Sequence, residues 1–224
     1  MYCTLCENPA QPFARVDQRD YFRCSRCRLT FEDPATLPNR QTEKAQYDLH
    51  DNNPADAGYR TFLAQLADPL CERLTPGDQG LDFGCGPGPA LAQMLGERGF
   101  PCRTYDPIYA PDPAPLDQQY DFVTCTEVVE HLHRPAREWQ QFARLVKPGG
   151  WLGIMTRWLI DDDAFAHWHY RRDPTHVCFW QPDTFAWLAR EQGWQVTLVG
   201  NPVVLMQKMP DTDLHRDALS NQTR

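Results

Sequence analysis

The stretch that most constrains the fold is residues 81–88, which read Leu-Asp-Phe-Gly-Cys-Gly-Pro-Gly. A short apolar segment ends there, glycines follow at alternate positions, and a helical pattern begins at Ala90. Glycine allows a positive φ and lets a bound molecule approach the backbone closely. We therefore expect a ligand at the carboxyl end of this strand, beside the amino end of the next helix.

Strand and helix patterns alternate through the rest of the chain. Helical periodicity runs from Tyr59 to Leu74, and Pro135 and Pro182 each open a further helix. The predicted strands are 80–83, 102–105, 120–125, 151–155, 195–199 and 203–206, the last two as an antiparallel pair, with the Pro-rich residues 107–117 as a loop. This order predicts an α/β fold with a doubly wound, mostly parallel sheet and an antiparallel last strand.

Two C-x-x-C pairs near the N-terminus are separated by 17 residues. Each such turn offers two thiolates to one ion, and two turns complete a tetrahedron, so the spacing predicts a structural zinc site. A redox dithiol is the alternative, but that motif sits in a βαβ unit, which these residues do not resemble. The predicted zinc ligands are Cys3, Cys6, Cys24 and Cys27.

These patterns divide the chain into four expected segments. Residues 1–33 form a zinc-binding module, 34–57 a linker that covers the ligand, 58–208 the main domain, and 209–224 a polar tail. Within the linker, Tyr47, His50 and Asn52 are expected to fold over the ligand.

Composition narrows the location and the partners. The nine Cys are an odd number without a secretory signal, and no apolar run reaches about 20 residues, so we expect a cytoplasmic protein with no membrane partner. The net charge of −8 disfavours a nucleic-acid partner without excluding one. Arg23, Arg26 and Arg28 are either an anion contact or a solvated face.

A dinucleotide fingerprint would need a third glycine at position 89, which is Pro89. Residues 81–88 instead resemble the first motif of the class I S-adenosylmethionine (SAM)-dependent methyltransferases. Asp106, residues 120–131 and Leu-Val-Lys-Pro-Gly-Gly at 145–150 match later motifs in the family's order. The resemblance covers residues 58–207 and implies SAM as the cofactor.

The resemblance also implies roles for single residues. Gly84 and Gly86 would pass the methionine moiety, Asp106 would hold the ribose hydroxyls, and Asp82 would lie beneath the site. The full set of expected cofactor-binding residues is Asp82, Gly84, Cys85, Gly86, Asp106, Pro107, Thr126 and Tyr47. Residues 107–117 replace the family's usual third strand and the acidic residue that often contacts adenine.

Residues 125–131 read Cys-Thr-Glu-Val-Val-Glu-His, and in a helix Glu127, Glu130 and His131 would share one face. This stretch resembles the ubiquinone-biosynthesis O-methyltransferases and the small-RNA 2′-O-methyltransferases, which use a metal ion. In the second group a further His follows the fifth strand, where His176 stands here. We predict that these four residues are catalytic, either through a second divalent ion or with His131 or His176 as general base. The alternative to a catalytic role is that His131 caps a helix and the Glu faces solvent, without any bound metal.

Three functions fit these patterns. The first is a methyltransferase for a small-molecule acceptor, O- or C-directed, with the aromatic and Arg-containing residues 157–180 covering that acceptor. The second is an RNA methyltransferase that grips its substrate with the zinc module. The third is a non-catalytic SAM-binding protein that acts as an interaction platform.

Overall fold

A computed structural model describes residues 1–49 and 52–210. His50 and most of the predicted tail, residues 211–224, lie outside the described residues. In chain order the strands are β1 (Ala10–Val16), β2 (Arg19–Cys24), β3 (Thr30–Glu32), β4 (Gly80–Phe83), β5 (Cys102–Tyr105), β6 (Tyr120–Thr126), β7 (Val146–Met155), β8 (Cys178–Phe179), β9 (Trp194–Gly200) and β10 (Val203–Lys208). The α-helices are α1 (Arg40–Tyr47), α2 (Ala57–Cys71), α3 (Ala90–Glu97), α4 (Pro135–Leu145) and α5 (Pro182–Gln192). Over the described ranges, no helix is long and apolar enough to cross a membrane.

The main sheet has the order β5-β4-β6-β7-β10-β9. The pairs β4–β5, β4–β6 and β6–β7 are parallel, whereas β10 pairs antiparallel with both β7 and β9. The α/β fold with a mostly parallel sheet and an antiparallel last strand is therefore confirmed. In register, Asp82 pairs with Thr104 of β5 and Thr124 of β6, so the carboxyl ends of the three strands lie side by side.

Three local predictions were wrong. Strand β7 begins at Val146 rather than 151, and it takes up Gly149 at φ 82°, so the Lys-Pro-Gly-Gly stretch belongs to the strand. Helix α2 ends at Cys71 rather than Leu74. Residues 127–131 are not an α-helix, because Glu127 has φ 52° and only Val129–His131 form a short 3-10 turn.

A second sheet has the order β1-β2-β3-β8. Its first three strands come from the cysteine-rich N-terminal residues, but β8 comes from the segment that follows β7, so two segments distant in sequence share one sheet. Beneath it, one apolar cluster contains Tyr21 with Phe165 and Phe179. The module predicted at 1–33 is thus packed tightly against residues 157–180.

The segment between the two sheets contains the helix α1, which the sequence analysis described only as a linker. Asn39 caps it, because its side-chain oxygen accepts hydrogen bonds from the backbone N–H groups of Gln41 and Thr42, each at 3.0 Å. Helix α1 ends at Tyr47, beside the carboxyl end of the main sheet.

A pair of Gly→Ala substitutions tests the packing of β4 against β6. A Cβ on Gly80 would lie 2.0 Å from the Phe122 ring, whereas a Cβ on Gly96 in α3 would meet nothing within 4 Å. We expect Gly80→Ala to lower the free energy of unfolding by about 1–3 kcal/mol through overpacking. The matched control Gly96→Ala should raise it by up to about 1 kcal/mol through helix propensity. Urea titration measures both, and equal effects would contradict this register.

Candidate active site

A cavity of about 760 Å³ lies where β4, β5 and β6 end. Its wall includes the Gly-rich turn at one end and the segment after β6 at the other. Of the predicted site residues, the cavity is lined by Tyr47, Gly84, Cys85, Gly86, Asp106, Pro107, Thr126, Glu127, His131 and His176. The parallel strands therefore bring residues far apart in sequence to one opening, as open α/β sheets do.

The Gly-rich turn depends on glycine at specific positions. Gly84 has φ 78°, and a Cβ there would lie 2.4 Å from a methyl carbon of Val128. At Gly88 a Cβ would lie 2.1 Å from the carbonyl oxygen of Asn52. Asn52 thus lies against the turn and lines the cavity together with Gly84 and Gly86, and side chains larger than hydrogen do not fit at Gly84 or Gly88 without displacing a neighbour.

Asp106 follows β5 and is held by three backbone N–H groups. Gly86 donates to its Oδ2 at 3.1 Å, and Ile108 and Tyr109 donate to its Oδ1 at 2.7 and 2.9 Å. These bonds fix the carboxylate beside the Gly-rich turn, with only 8% of the residue exposed. A carboxylate oriented in this way can accept further hydrogen bonds from a ligand's hydroxyl groups.

Asp82 lies under the turn and does not line the cavity. The Thr124 hydroxyl donates a hydrogen bond to its Oδ1 at 2.7 Å. Burial raises the pKa of Asp82 to about 6, and repulsion from Asp106 contributes in the same direction. The carboxyl therefore supports the turn from beneath, where the sequence analysis expected it.

At the other end of the cavity, Glu127 stands directly after β6 in a left-handed conformation. Its Oε1 is buried without a hydrogen-bond partner among the described residues. Burial and the nearby Glu130 raise the pKa of Glu127 to about 9. A carboxyl in this state favours an incoming positive charge, because a cation would compensate its ionised form.

Glu130, His131 and His176 form a cluster in which one ligand atom of each lies within 4.8 Å of the others. Glu130 is fully buried, its Oε1 accepts from the Tyr170 hydroxyl at 2.5 Å, and its Oε2 has no partner within the described ranges. The rings of His131 and His176 meet edge to face at 4.7 Å. Glu127 lines the same cavity but does not belong to this cluster.

Both imidazoles are oriented by backbone carbonyls. The Nδ1 of His131 lies 3.0 Å from the Thr175 carbonyl oxygen, and the Nδ1 of His176 lies 2.6 Å from that of Tyr170. Because a carbonyl only accepts, each Nδ1 carries a proton and each Nε2 keeps its lone pair. Burial lowers the pKa of His176, which favours its neutral form.

Several contacts had no signal in the sequence. Tyr170, the partner of Glu130, is 40 residues away from it in the chain. Tyr47 was predicted at the cofactor, and it packs edge to face on the His131 ring at 5.1 Å. Arg171, expected among residues covering the acceptor, instead pairs with Asp17 of the N-terminal hairpin at 2.8 Å.

The three clustered arginines differ in exposure, because Arg26 is exposed, as a solvated face requires, whereas Arg23 is not. Arg23 is buried, forms an ion pair with Asp162 and lies over the Phe13 ring at 3.8 Å. Arg26 pairs with Glu191 at 3.4 Å. These two side chains thus connect the N-terminal module to the rest of the chain.

The four predicted zinc ligands come together in two matching turns. The Sγ atoms of Cys3 and Cys27 are 3.5 Å apart, and those of Cys6 and Cys24 are 3.4 Å apart. After each C-x-x-C the next residue, Glu7 or Arg28, is left-handed and donates its N–H to the carbonyl of the first cysteine of its turn. A disulfide needs about 2 Å between sulfurs, whereas a zinc tetrahedron with 2.3 Å bonds needs about 3.8 Å.

Residues 55–199 match the family model described as "Methyltransferase domain". The chain therefore belongs to this methyltransferase-domain family, and its sheet is that of the class I methyltransferases. The prediction of a SAM-dependent methyltransferase is confirmed at the level of the family.

Individual relatives agree with this assignment. The chain is 32% identical to the ubiquinone biosynthesis O-methyltransferase of Paracidovorax citrulli over 48% of its own length and 52% of the relative's. It is 34% identical to the protein of the same name from Saccharophagus degradans, over 46% of its own length and 49% of the relative's. The chain thus spans about half the length of the curated relatives it matches.

Among solved structures, the fold is similar to 1,6-didemethyltoxoflavin-N1-methyltransferase from Burkholderia thailandensis. That structure contains 1,6-didemethyltoxoflavin and S-adenosylhomocysteine (SAH). The similarity has a TM-score of 0.50 at 19% identity, and covers 89% of this chain and all of the other. It shows a shared fold.

The raised pKa of Asp82 gives a prediction for the effect of pH. A carboxyl whose pKa is higher in the folded state binds its proton more tightly there, so its contribution to stability grows as the pH falls. From pH 7 to pH 4, the wild type should gain up to about 3 kcal/mol relative to Asp82→Asn, which carries no charge. Urea titrations of both proteins across this range measure the difference, and a difference that does not depend on pH would contradict the raised pKa.

Proposed function

We propose that this protein transfers the methyl group of SAM to an oxygen atom of a small molecule. The observation that carries the proposal is a single cavity that joins the Gly-rich turn and Asp106 to Glu127, His131 and His176. One end has the features of a nucleoside site, and the other has groups that can bind or remove a proton. Methyl transfer requires these two ends to lie next to each other.

The residues at the first end fit SAM. The volume of about 760 Å³ lies within the range for a cofactor-sized ligand together with a second small molecule. Gly84 and Gly86 line this end of the cavity, where they can border the methionine part, and Asp106 can accept from two ribose hydroxyls. Thr126, Cys85 and Pro107 complete this wall of the cavity.

SAM supplies a methyl group on a positively charged sulfur, which is already activated for in-line displacement. The chain must then align the acceptor and remove its proton. The Nε2 atoms of His131 and His176 are the candidates for this task, because their Nδ1 atoms are bound to carbonyls; the Asp173 carboxylate lies 3.9 Å from the Nε2 of His176. A general base of this kind contributes about 10²–10⁴-fold to a rate.

A divalent ion fits the same groups. Glu130, His131 and His176 offer one oxygen and two nitrogens, a donor set that suits Mn²⁺ or Zn²⁺ better than Mg²⁺. The carbonyls behind both imidazoles provide the outer hydrogen bonds that metal-binding histidines usually have. Such an ion would lower the pKa of an acceptor hydroxyl and fix its position.

A small acceptor is favoured over RNA by the arrangement of the arginines. Arg23 is buried and pairs with Asp162 within the protein, so it is not presented to a phosphate backbone, and Arg26, which is exposed, pairs with Glu191. Oxygen as the methylated atom is supported by the relatives, which are named O-methyltransferases.

We propose further that one zinc ion occupies Cys3, Cys6, Cys24 and Cys27 as a structural ligand set. The four Sγ atoms lie within 4.8 Å of one another, and all four positions of a tetrahedron are filled. Elemental analysis of protein purified without chelator should give at least one zinc per chain. Cys24→Ser should contain one zinc fewer than the wild type, whereas Cys71→Ser, which lies outside the cluster, should match it. A zinc-free wild type would rule out the assignment.

The cofactor end is tested by SAH binding. We expect Asp106→Ala to weaken SAH binding more than tenfold, or about 1.4 kcal/mol, because two charged hydrogen bonds to the ribose are lost. The SAH affinity of Asp106→Asn should lie between the affinities of Asp106→Ala and the wild type. Asp112→Ala is the matched control, since Asp112 caps a backbone N–H in the same loop but does not line the cavity. Isothermal titration with unchanged affinity in Asp106→Ala would refute the role.

The acceptor end is tested by transfer of an isotope-labelled methyl group from SAM. Substituted phenols and catechols serve as small acceptors, and total RNA as the competitor. We expect label in the small molecules, and a loss of at least about 100-fold in kcat for His176→Gln at unchanged SAH affinity. His167→Gln, an exposed residue of the same segment, should behave as wild type.

Addition of EDTA distinguishes the two acceptor mechanisms. Activity lost with EDTA and restored by Mn²⁺ supports the ion, whereas unchanged activity supports a general base. Label that enters RNA and none of the small molecules would contradict the proposal.

A further inference from the structure

The segment that bears His176 is built into the N-terminal sheet. Thr30 and Phe31 of β3 pair with Phe179 and Cys178 of β8, and the N–H of Glu32 donates to the Val177 carbonyl at 2.9 Å. Strand β8 begins two residues after His176. Any displacement of β3 is therefore transmitted along one short stretch of backbone to this imidazole.

One arginine of the N-terminal hairpin binds the backbone around His176. The Arg19 guanidinium donates to the carbonyls of His176 at 2.9 Å, Arg171 at 3.2 Å and Asp173 at 3.4 Å. It also donates to the carboxylate of Glu32, which is almost fully buried. Arginine suits this position because its planar group holds several donors in fixed directions.

The carbonyls that orient the two imidazoles belong to the same segment. Tyr170 and Thr175 supply the acceptors for the Nδ1 protons of His176 and His131, and Arg19 holds the carbonyls at 171, 173 and 176. The path of residues 170–176 thus sets the tautomer and direction of both rings. Arg19 contacts neither ring, so its effect is exerted through this backbone.

The strand that carries Arg19 is tied to the cysteine cluster. Strand β2 runs from Arg19 directly to Cys24, and β1 begins at Ala10, four residues after Cys6. Both ends of the β1–β2 hairpin are therefore anchored at the four thiols. An ion bound there would fix the hairpin and, with it, the position of the guanidinium.

We infer that Arg19 is a positioning residue for the acceptor end of the cavity and that the cysteine cluster controls this end by holding the Arg19 hairpin. The inference rests on the proposed function only in assigning His131 and His176 to the acceptor. It predicts that loss of Arg19, or of the zinc, disturbs these two imidazoles and leaves the SAM end unchanged. The N-terminal module then controls the geometry of the acceptor site, and it is not a binding surface for a macromolecule.

The test uses the full chain with ¹⁵N-labelled histidine. Nitrogen shifts report the tautomer of each ring, and His131→Gln and His176→Gln assign the signals. Arg19→Met removes all the donors and keeps a long side chain. Arg15→Met is the matched control, because Arg15 lies on the same hairpin, is exposed, and pairs only with Asp20 among the contacts described.

In the wild type we expect both rings in the Nδ1–H tautomer. In Arg19→Met the shift difference between Nδ1 and Nε2 should fall by about half or more for both rings, as tautomers exchange. SAH affinity, measured by isothermal titration, should stay within about twofold, because none of the described contacts of Arg19 reaches the Gly-rich turn. Arg15→Met should match the wild type, and Arg19→Lys should recover part of the shift difference.

Zinc is also removed from the wild type, and elemental analysis verifies the removal. We expect the same fall in the shift difference between Nδ1 and Nε2 of both rings, with unchanged SAH affinity. If Arg19→Met folds and its imidazole signals equal those of the wild type, the inference is wrong. If Arg19→Met does not fold, Arg19→Lys serves as the test instead. The inference is then wrong if the imidazole signals of Arg19→Lys equal those of the wild type and removal of zinc also leaves the signals unchanged. Failure of the proposed function differs from both outcomes, because SAH would not bind to the wild type while the rings still depended on Arg19.

Discussion

The parallel pairing of β4 with β5 and β6 is the constraint on which the site depends. In this register Asp82 lies beside Thr104 and Thr124, so the residues that follow the three strands meet at one edge. The Gly-rich turn, Asp106 and Glu127 follow β4, β5 and β6 within three residues of each strand end. No contact between their side chains is needed to bring them together, because the backbone pairing alone does so.

The edge of the sheet gives one wall of the cavity, and helices α1, α2 and α4 line it as well. A further part of the lining, with Tyr170 and His176, comes from the segment after β7. That segment is short of regular structure of its own, with two 3-10 turns and the two-residue strand β8. Its order comes from the N-terminal hairpin, through β3–β8 pairing, the aromatic cluster around Phe165 and Phe179, and the guanidinium of Arg19. This division leaves the cofactor end to the main sheet and makes the acceptor end depend on a second unit.

The electrostatics of the cavity also follow from this packing. Burial raises the pKa of Glu127 to about 9, and repulsion from the nearby Glu130 acts in the same direction. Positive charge placed between them would offset that repulsion. Both the sulfonium of SAM and a divalent ion carry such charge, and Arg157, which lines the cavity, already acts on the pKa of Glu127 in this direction.

Much of the main sheet and the cofactor end could be predicted from the sequence, because local signals are strong there. Short apolar segments that alternate with helical patterns indicate the strands. Gly84 and Gly86, at alternate positions directly after a strand, indicate a turn at which a ligand can approach the backbone. Glu127, His131 and His176 were named from the sequence and do line the other end of the cavity, but their geometry was not predicted, and their catalytic role stays a prediction. Helical spacing suggested one face for Glu127 and Glu130, yet Glu127 adopts a left-handed conformation that no periodicity encodes.

Long-range contacts explain the rest of what the sequence did not reveal. Arg19 meets the carbonyl of His176 across 157 residues, and β8 joins a sheet whose other strands lie within the first 32 residues. Each of these contacts involves a backbone group, which leaves no residue type to recognise in the sequence. The module at 1–33 was visible through its cysteines, whereas its connection to the acceptor end was not.

The central claim is that one cavity holds SAM at the turn with its reactive sulfur directed toward Glu127, His131 and His176. A crystal structure of the protein with SAH tests it most directly. We expect the ribose hydroxyls of SAH to lie on the Asp106 carboxylate and its sulfur to face the two imidazoles across unfilled space. SAH bound outside this cavity, or with its sulfur turned away from His131 and His176, would contradict the account.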